Sequence, residues 1–143
     1  MIGSLPDDAD SRNSFPMADG LLDYFPNALA EVSAVSRIGN EQHNPGEPMH
    51  WARGKSTDHA NKILRHLIDR GKRDGKGVRH SAYAAWRALA LLQEEIERDT
   101  GVPLPRNAIP SLGMSIPDLG IPAGSPDASA DALRHPLSVA GEE

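Results

Sequence analysis

Two segments with apolar residues at helical spacing, joined by a glycine-rich turn, dominate the hydrophobic pattern of the chain. Both lie within residues 56–95. The turn, residues 70–77, has three glycines and no apolar residue. In the first segment the apolar residues fall on one arc of a helical wheel, and in the second Ala, Leu and Trp cover most of the circumference. The pattern predicts a central helical hairpin in an all-α protein.

The ends of the two helices have recognisable signals. Ser56 and Thr57 carry hydroxyls that can accept free backbone N–H groups, and Asp58 suits the positive end of a helix dipole. We therefore expect a helix to begin there and to stop at Gly71. The next predicted helix runs over residues 79–100.

A further helix is predicted before this pair, over residues 26–39, because Pro26 suits a first helical turn. The helical wheel places Glu31 inside its apolar arc. A partly buried carboxylate needs a cation, a metal or a hydrogen-bond donor. The alternative is an edge position, from which the carboxylate reaches water.

The rest of the chain lacks a regular period. Residues 40–55 contain two prolines and two glycines and are predicted to form a long loop, in which Trp51 can anchor or stack. We expect residues 1–20 to be a disordered leader and residues 101–143 to be an irregular tail rich in Pro, Gly and Ser. The helical domain is then residues 21–100, a three-helix unit with irregular N- and C-terminal tails.

This unit is small for the apolar surface that it carries. Its last helix has more apolar circumference than two neighbouring helices can cover. We therefore expect a homo-oligomer, in the simplest case a two-fold dimer that completes a helical bundle.

Charge is distributed unevenly along the chain. Residues 50–90 hold ten Lys or Arg and three Asp, a net charge of +7, whereas the remainder carries −12. Such a basic region can attract phosphates of a nucleotide or a polynucleotide, although charged helix surfaces are also common without a ligand. The chain has no cysteine and no stretch typical of a signal peptide or a membrane span, so we expect a cytoplasmic protein with no membrane partner.

Polar residues of the last predicted helix form one strip that includes His80, Tyr83 and Arg87. In an antiparallel hairpin the end of the preceding helix lies beside this strip, so His66 can approach it. The sequence therefore predicts a polar cleft. For each histidine, a residue at the edge of the core that bonds to a backbone carbonyl is the simpler alternative.

The order of several motifs resembles one family. These motifs are Phe25 to Val32 (FPNALAEV), His50 to Gly54 (HWARG), Arg65-His66-Leu67, Asp74, and His80 to Leu92 (HSAYAAWRALALL). Over residues 21–95 the chain resembles the N-terminal domain family of phage dATP/dGTP diphosphohydrolases. The resemblance implies a phage-encoded or prophage-encoded all-helical protein, active in the host cytoplasm. It also implies cleavage of a purine deoxynucleoside triphosphate to monophosphate and pyrophosphate with a divalent metal.

With this resemblance, the residues suggest roles for a metal-dependent hydrolase. We expect Glu31, Glu41 and Asp74 to hold Mg²⁺ or Mn²⁺, and Glu31, His66 and His80 to be catalytic. The residues expected to bind the substrate are Trp51, Lys55, Arg65 and Arg87. The chain lacks the Glu-x-x-Glu and Glu-x-x-Asp boxes of the broader all-α nucleotide pyrophosphatases in its first two predicted helices. The alternative function is therefore a non-catalytic helical module that binds nucleic acid or a partner protein.

Overall fold

A computed structural model describes residues 5–109 of the 143-residue chain. Its α-helices in this range are α1 (Ala9–Asn13), α2 (Pro26–His43), α3 (His59–Ile68) and α4 (His80–Thr100). The shorter elements are a π-helical turn (Ala18–Leu22), a 3₁₀ turn (Arg53–Lys55), β1 (Trp51–Ala52) and β2 (Ala108–Ile109). The mostly helical content confirms the all-α prediction. No helix in residues 5–109 combines the length and the apolar content that crossing a bilayer requires.

Helices α3 and α4 form the largest contact between helices in the described range. His59 at the start of α3 reaches Glu94 near the end of α4, whereas His66 near the end of α3 reaches His80 at the start of α4. The two helices therefore run antiparallel. Their contact surface includes His59 and His66.

The small apolar core lies between α2 and α4. Val35 of α2 packs with Val78 and Ala82, and Ile38, Tyr83 and Trp86 lie against this cluster. Trp86 also donates from Nε1 to Oγ of Ser36 at 2.8 Å, so its one polar group is satisfied inside the contact.

The apolar arc predicted for α3 lies mostly outside this core. Leu64 is 62% exposed and Ile68 is 76% exposed, and Leu67 is exposed as well. The side that faces α4 instead carries His59, which is 2% exposed. The sequence pattern identified the apolar side of α3 but not the direction in which that side points.

The loop predicted over residues 40–55 contains more structure than expected. Helix α2 continues to His43, and β1 pairs in parallel with β2 at the other end of the loop. Arg53 is buried after β1, where its guanidinium lies 3.6 Å from the Trp51 ring and 2.7 Å from Glu97. These contacts fix the position of the loop over α4.

Regular structure also extends beyond the predicted helical unit. Helix α1 lies within the segment expected to be disordered, and Asp8 caps it by accepting a 2.8 Å hydrogen bond from the Ser11 amide. At the other end, β2 lies within the segment expected to be irregular. Residues 110–143, which make up most of the predicted tail, lie outside the described range.

The start of α3 differs from the prediction in its capping. The N-cap residue is Asp58, and its side chain accepts no capping hydrogen bond from a backbone N–H of the first turn. Its carboxylate accepts one from the Asn61 side chain instead, at 2.8 Å. Oγ of Ser56 instead accepts hydrogen bonds from Lys62 and Arg87. The predicted stop after α3 is consistent with Gly71, which adopts a positive φ of 84° that disfavours other residues.

Candidate functional site

A cavity of about 630 Å³ lies between α2, the loop that follows it, α3 and α4. This volume is in the usual range of small-molecule sites. The cationic and histidine side chains in its lining are His43, His50, Lys55, Lys62, Arg65, His66, His80 and Arg87. Aromatic side chains, Trp51, Tyr83 and Trp86, line other parts of it. The cavity therefore combines positive charge with apolar ring surface.

His66 and His80 face each other in this cavity. Their Nδ1 atoms are 3.0 Å apart, so one ring nitrogen can donate to the other. The ring of Tyr83 stacks on His66 with 4.8 Å between ring centroids. Burial lowers the pKa of His66, and the positive charges of His80, Arg87 and Arg65 lower it further. These effects favour the neutral form of His66.

Arg87 lies beside this pair and contacts a hydroxyl and a histidine ring. It donates to Oγ of Ser56 at 2.8 Å and lies 3.4 Å from Nδ1 of His59. Within residues 5–109 no carboxylate lies at ion-pair distance from it. Burial lowers the pKa of Arg87, and the charge of Arg65 adds to this effect. The guanidinium is thus partly desolvated, and the opposing effect of Asp58 is smaller than the effects of burial and of Arg65.

Lys62 extends the same positive region. Its Nζ donates to Oγ of Ser56, which Arg87 shares. Burial lowers the pKa of Lys62, and repulsion from Arg87 lowers it further despite an opposing effect of Asp58. Arg65 has only a long contact to Asp58, at 3.4 Å and near the surface. A bound anion would reduce the electrostatic repulsion between these cations around the cavity.

A buried layer behind the cavity holds Arg87 in place. His59 lies between Nη1 of Arg87 and Oε1 of Glu94, at 3.4 Å and 3.2 Å. Glu94 in turn lies 3.6 Å from Arg53, whose other contact is Glu97. This chain of contacts connects the floor of the cavity to the loop after α2.

The other end of the cavity lies against this loop. Lys55 donates to the backbone carbonyl of His43 at 2.8 Å and lies 3.3 Å from Oδ1 of Asn44. Trp51 packs edge to face on Trp86 with a centroid distance of 5.5 Å. This part of the cavity therefore presents the Lys55 ammonium together with amides and indole rings, and the rings can contact a flat polar ring.

The structure brings together most of the residues predicted to contact substrate. Trp51, Lys55, Arg65, His66, His80 and Arg87 all line the cavity. Sequence reasoning assigned other roles to two lining residues. The hydroxyl of Ser56 was expected to cap a helix, and the i,i+4 spacing of Asp58 and Lys62 is also typical of a surface ion pair. A signal for Lys62 is its spacing to Arg65, His66 and the C-cap residue Asp69, which places these side chains along one side of α3.

The three acids predicted to hold a metal do not line the cavity. Glu31 is 40% exposed and lies 3.5 Å from Arg79 and 3.8 Å from Arg73. This agrees with the expectation that it is partly buried with a cationic partner. Glu41 pairs with Arg37 at 2.6 Å on the surface of α2.

Asp74, the third predicted ligand, organises the turn between α3 and α4. Its carboxylate accepts hydrogen bonds from the amides of Lys76 and Val78, both at 2.9 Å, and from the Tyr83 hydroxyl at 2.8 Å. Across residues 5–109 no group of three His, Asp or Glu side chains is placed to hold a metal ion. The described residues alone therefore do not fit a magnesium site, and the metal assignments stay a prediction.

Comparison with known proteins identifies the family. A family model described as dATP/dGTP diphosphohydrolase, N-terminal, matches residues 7–101. The chain belongs to this family. The match includes α1 through α4 and every residue of the cavity lining except Asn107. No curated protein and no solved structure matches the chain. Membership in the dATP/dGTP diphosphohydrolase N-terminal family agrees with the resemblance found in the sequence.

Proposed function

We propose that the cavity binds the triphosphate of a purine deoxynucleotide and that the protein takes part in its hydrolysis to monophosphate and pyrophosphate. One observation supports this most strongly. Lys62, Arg65 and Arg87 line the cavity together with His66. Besides burial, the charge of Arg87 lowers the pKa of Lys62, and the charge of Arg65 lowers the pKa of Arg87 and of His66. A polyphosphate replaces this repulsion with attraction.

The residues have separable roles in this proposal. Lys62 and Arg65 act as charges on the outer phosphates, whereas the planar guanidinium of Arg87 can donate two parallel hydrogen bonds to one phosphate. The His66–His80 pair holds a proton between two ring nitrogens and can pass it to a leaving phosphate oxygen. In this proposal Trp51 and Lys55, which also line the cavity, contact the base and sugar.

A divalent metal is implied by the family, as Mg²⁺ or Mn²⁺. Such an ion commonly binds through substrate phosphates and one or two carboxylates. Because Glu31, Glu41 and Asp74 make other contacts, no step of the proposal is assigned to the ion. The variant Glu31→Gln tests whether Glu31 is a ligand of this ion. Loss of activity with unchanged helicity supports Glu31 as a ligand, and full activity removes it from the metal site.

Calorimetry with pyrophosphate, dGTP and dATP tests the proposal. We expect all three to bind, with pyrophosphate retaining much of the affinity because the cations recognise phosphate. Arg87→Ala should weaken each ligand, whereas Arg37→Ala, which removes an exposed arginine paired outside the cavity, should weaken none. Absence of binding by all three ligands contradicts the proposal. Binding without release of pyrophosphate from dGTP, with Mg²⁺ or Mn²⁺ present, limits the protein to a binding role.

Binding of nucleic acid is a second candidate because the turn after α3 is basic and exposed. Arg70, Lys72, Arg73 and Lys76 all lie in this turn. A DNA-binding protein would lose affinity steeply with salt and would tolerate Arg87→Ala. A nucleotide enzyme would instead lose affinity for its nucleotide in Arg87→Ala. The first candidate also places the protein in the cytoplasm, where the deoxynucleotide pool is, and in an infected host cell if a phage encodes it.

A further inference from the structure

The side of the α3–α4 pair that lies opposite the cavity is apolar and exposed. We call it the outer face. On α3 it includes Leu64, Leu67 and Ile68, and on α4 it includes Leu89, Leu92 and Ile96. Each of these six side chains is more than a third exposed. An exposed apolar surface that spans two packed helices is typical of a protein interface.

Helical geometry places these residues on one common side. At about 100° per residue, Leu64 lies roughly 160° around α3 from Lys62, and Leu92 lies about 180° around α4 from Tyr83. Lys62 and Tyr83 both line the cavity. Since the cavity lies on one side of the helix pair, the leucines of both helices point to the other side. The outer face is therefore one continuous surface that leaves the cavity open.

The two ends of the outer face carry opposite charge. At the turn end, Arg70 and Lys72 are exposed. At the other end, Glu95 and Asp99 lie on the last two turns of α4, at the border of the face. Within residues 5–109, Asp99 pairs with the adjacent Arg98, and Lys72 pairs with Asp69. The face is thus apolar in the centre, basic at one end and acidic at the other.

We propose that the outer face binds a second copy of this chain, related by a two-fold axis perpendicular to α4. In this arrangement the basic end of each copy meets the acidic end of the other, so the charges match twice. Four helices, two from each copy, then enclose the leucines in one bundle. Parallel pairing would bring like charges together at both ends. A polyanion does not match a face with an apolar centre and an acidic end.

The mass of the protein in solution tests the pairing. Sedimentation equilibrium at micromolar concentration should give about twice the chain mass of 15.4 kDa. Leu92→Glu places a charge at the centre of the face and should give a monomer with unchanged circular dichroism. Leu22→Glu is a matched control, because both leucines are 53% exposed and Leu22 lies outside the face. A monomeric wild-type chain, or a dimer that persists in Leu92→Glu, overturns the proposal.

Charge reversal tests the antiparallel orientation. A turn variant combines Arg70→Glu with Lys72→Glu, and an end variant combines Glu95→Lys with Asp99→Lys. Each variant alone should dimerise at least tenfold more weakly at low salt, because like charges then meet. All four changes in one chain should restore wild-type dimerisation. If the combined variant remains as weak as its parents, the copies do not pair with opposite ends together, and this orientation is wrong.

Discussion

At the scale of single residues, the environment of Arg87 most strongly favours the binding of an anion. It is partly desolvated, it donates to a neutral hydroxyl, and the positive charge of Arg65 lowers its pKa more than Asp58 raises it. Charge-assisted hydrogen bonds contribute about 1.5–3 kcal/mol each. We therefore expect Arg87→Ala to reduce affinity for pyrophosphate by about 10- to 100-fold. Arg87→Lys should recover part of the loss, since it restores the charge but not the planar pair of donors. Equal affinity in all three proteins would contradict this role.

The lowered pKa of His66 predicts a pH dependence of stability. Between its folded pKa and the ordinary value of 6.5, the unfolded chain binds more protons than the folded one. The contribution of His66 to stability is therefore complete above pH 6.5 and decreases as the pH falls below it. Urea unfolding from pH 7.5 to 5 should show this decrease. His66→Gln should flatten it, and an unchanged slope in that variant would assign the effect to other groups.

The same residue predicts that ligand binding takes up protons. A bound polyphosphate favours the charged form of His66, so it raises the pKa that its cationic neighbours lower. Affinity for pyrophosphate should increase as the pH falls from 7.5 to 6. Calorimetry in buffers with different ionisation enthalpies measures the proton uptake. We expect this uptake to decrease in His66→Gln.

Several of these residues were predictable from sequence because residue type and helix position suffice to identify them. Predicting that His66, His80 and Arg87 lie together required only the expectation that two helices run antiparallel. Lys62 and Ser56 were assigned other roles, because the spacing from Asp58 to Lys62 equally describes a surface ion pair. Which side of α3 faces the cavity depends on the packing of α2 and of the loop after it, and local pattern does not determine that packing.

At the scale of elements, the turn between α3 and α4 depends on one carboxylate. The Asp74 carboxylate accepts hydrogen bonds from two backbone amides and from the Tyr83 hydroxyl. The hydrogen bond from the Val78 amide is the main cause of its lowered pKa. Burial, and next the hydrogen bond to Asp74, raises the pKa of Tyr83 to about 12. Asp74→Ala should lower the free energy of unfolding by about 1–3 kcal/mol. Tyr83→Phe, which removes only one of the bonds, should lower it less. The two variants are compared by urea unfolding at pH 7.

The pH dependence of this turn has a defined sign. Because the folded pKa of Asp74 is below its ordinary value of 3.8, its contribution to stability is present above pH 3.8 and is lost as the pH falls through the folded pKa.

Helix positions were predictable to within a few residues from periodicity and glycines. The extension of α2 to His43 and the pairing of β1 with β2 were not, since they depend on contacts between distant residues.

At the scale of the whole molecule, the β1–β2 contact connects the loop after α2 to the segment after α4. The Trp51 amide donates to the Asn107 carbonyl, and Trp51 in turn packs on Trp86. A chain that ends at residue 100 should therefore have a lower melting temperature than one that ends at residue 109. Differential scanning calorimetry measures the difference. Equal melting temperatures would place the structural boundary at the end of α4, as the sequence predicted.

The cavity and the outer face lie on opposite sides of the same two helices, so their functions should be separable. Changes at sites without shared partners usually add in free energy. Leu92→Glu should therefore bind pyrophosphate with wild-type affinity per chain, and Arg87→Ala should retain the wild-type mass in sedimentation. The double variant should combine the two defects without a further loss. If Leu92→Glu instead weakens pyrophosphate binding as much as Arg87→Ala does, pairing of the copies shapes the cavity, and the two sites act as one unit.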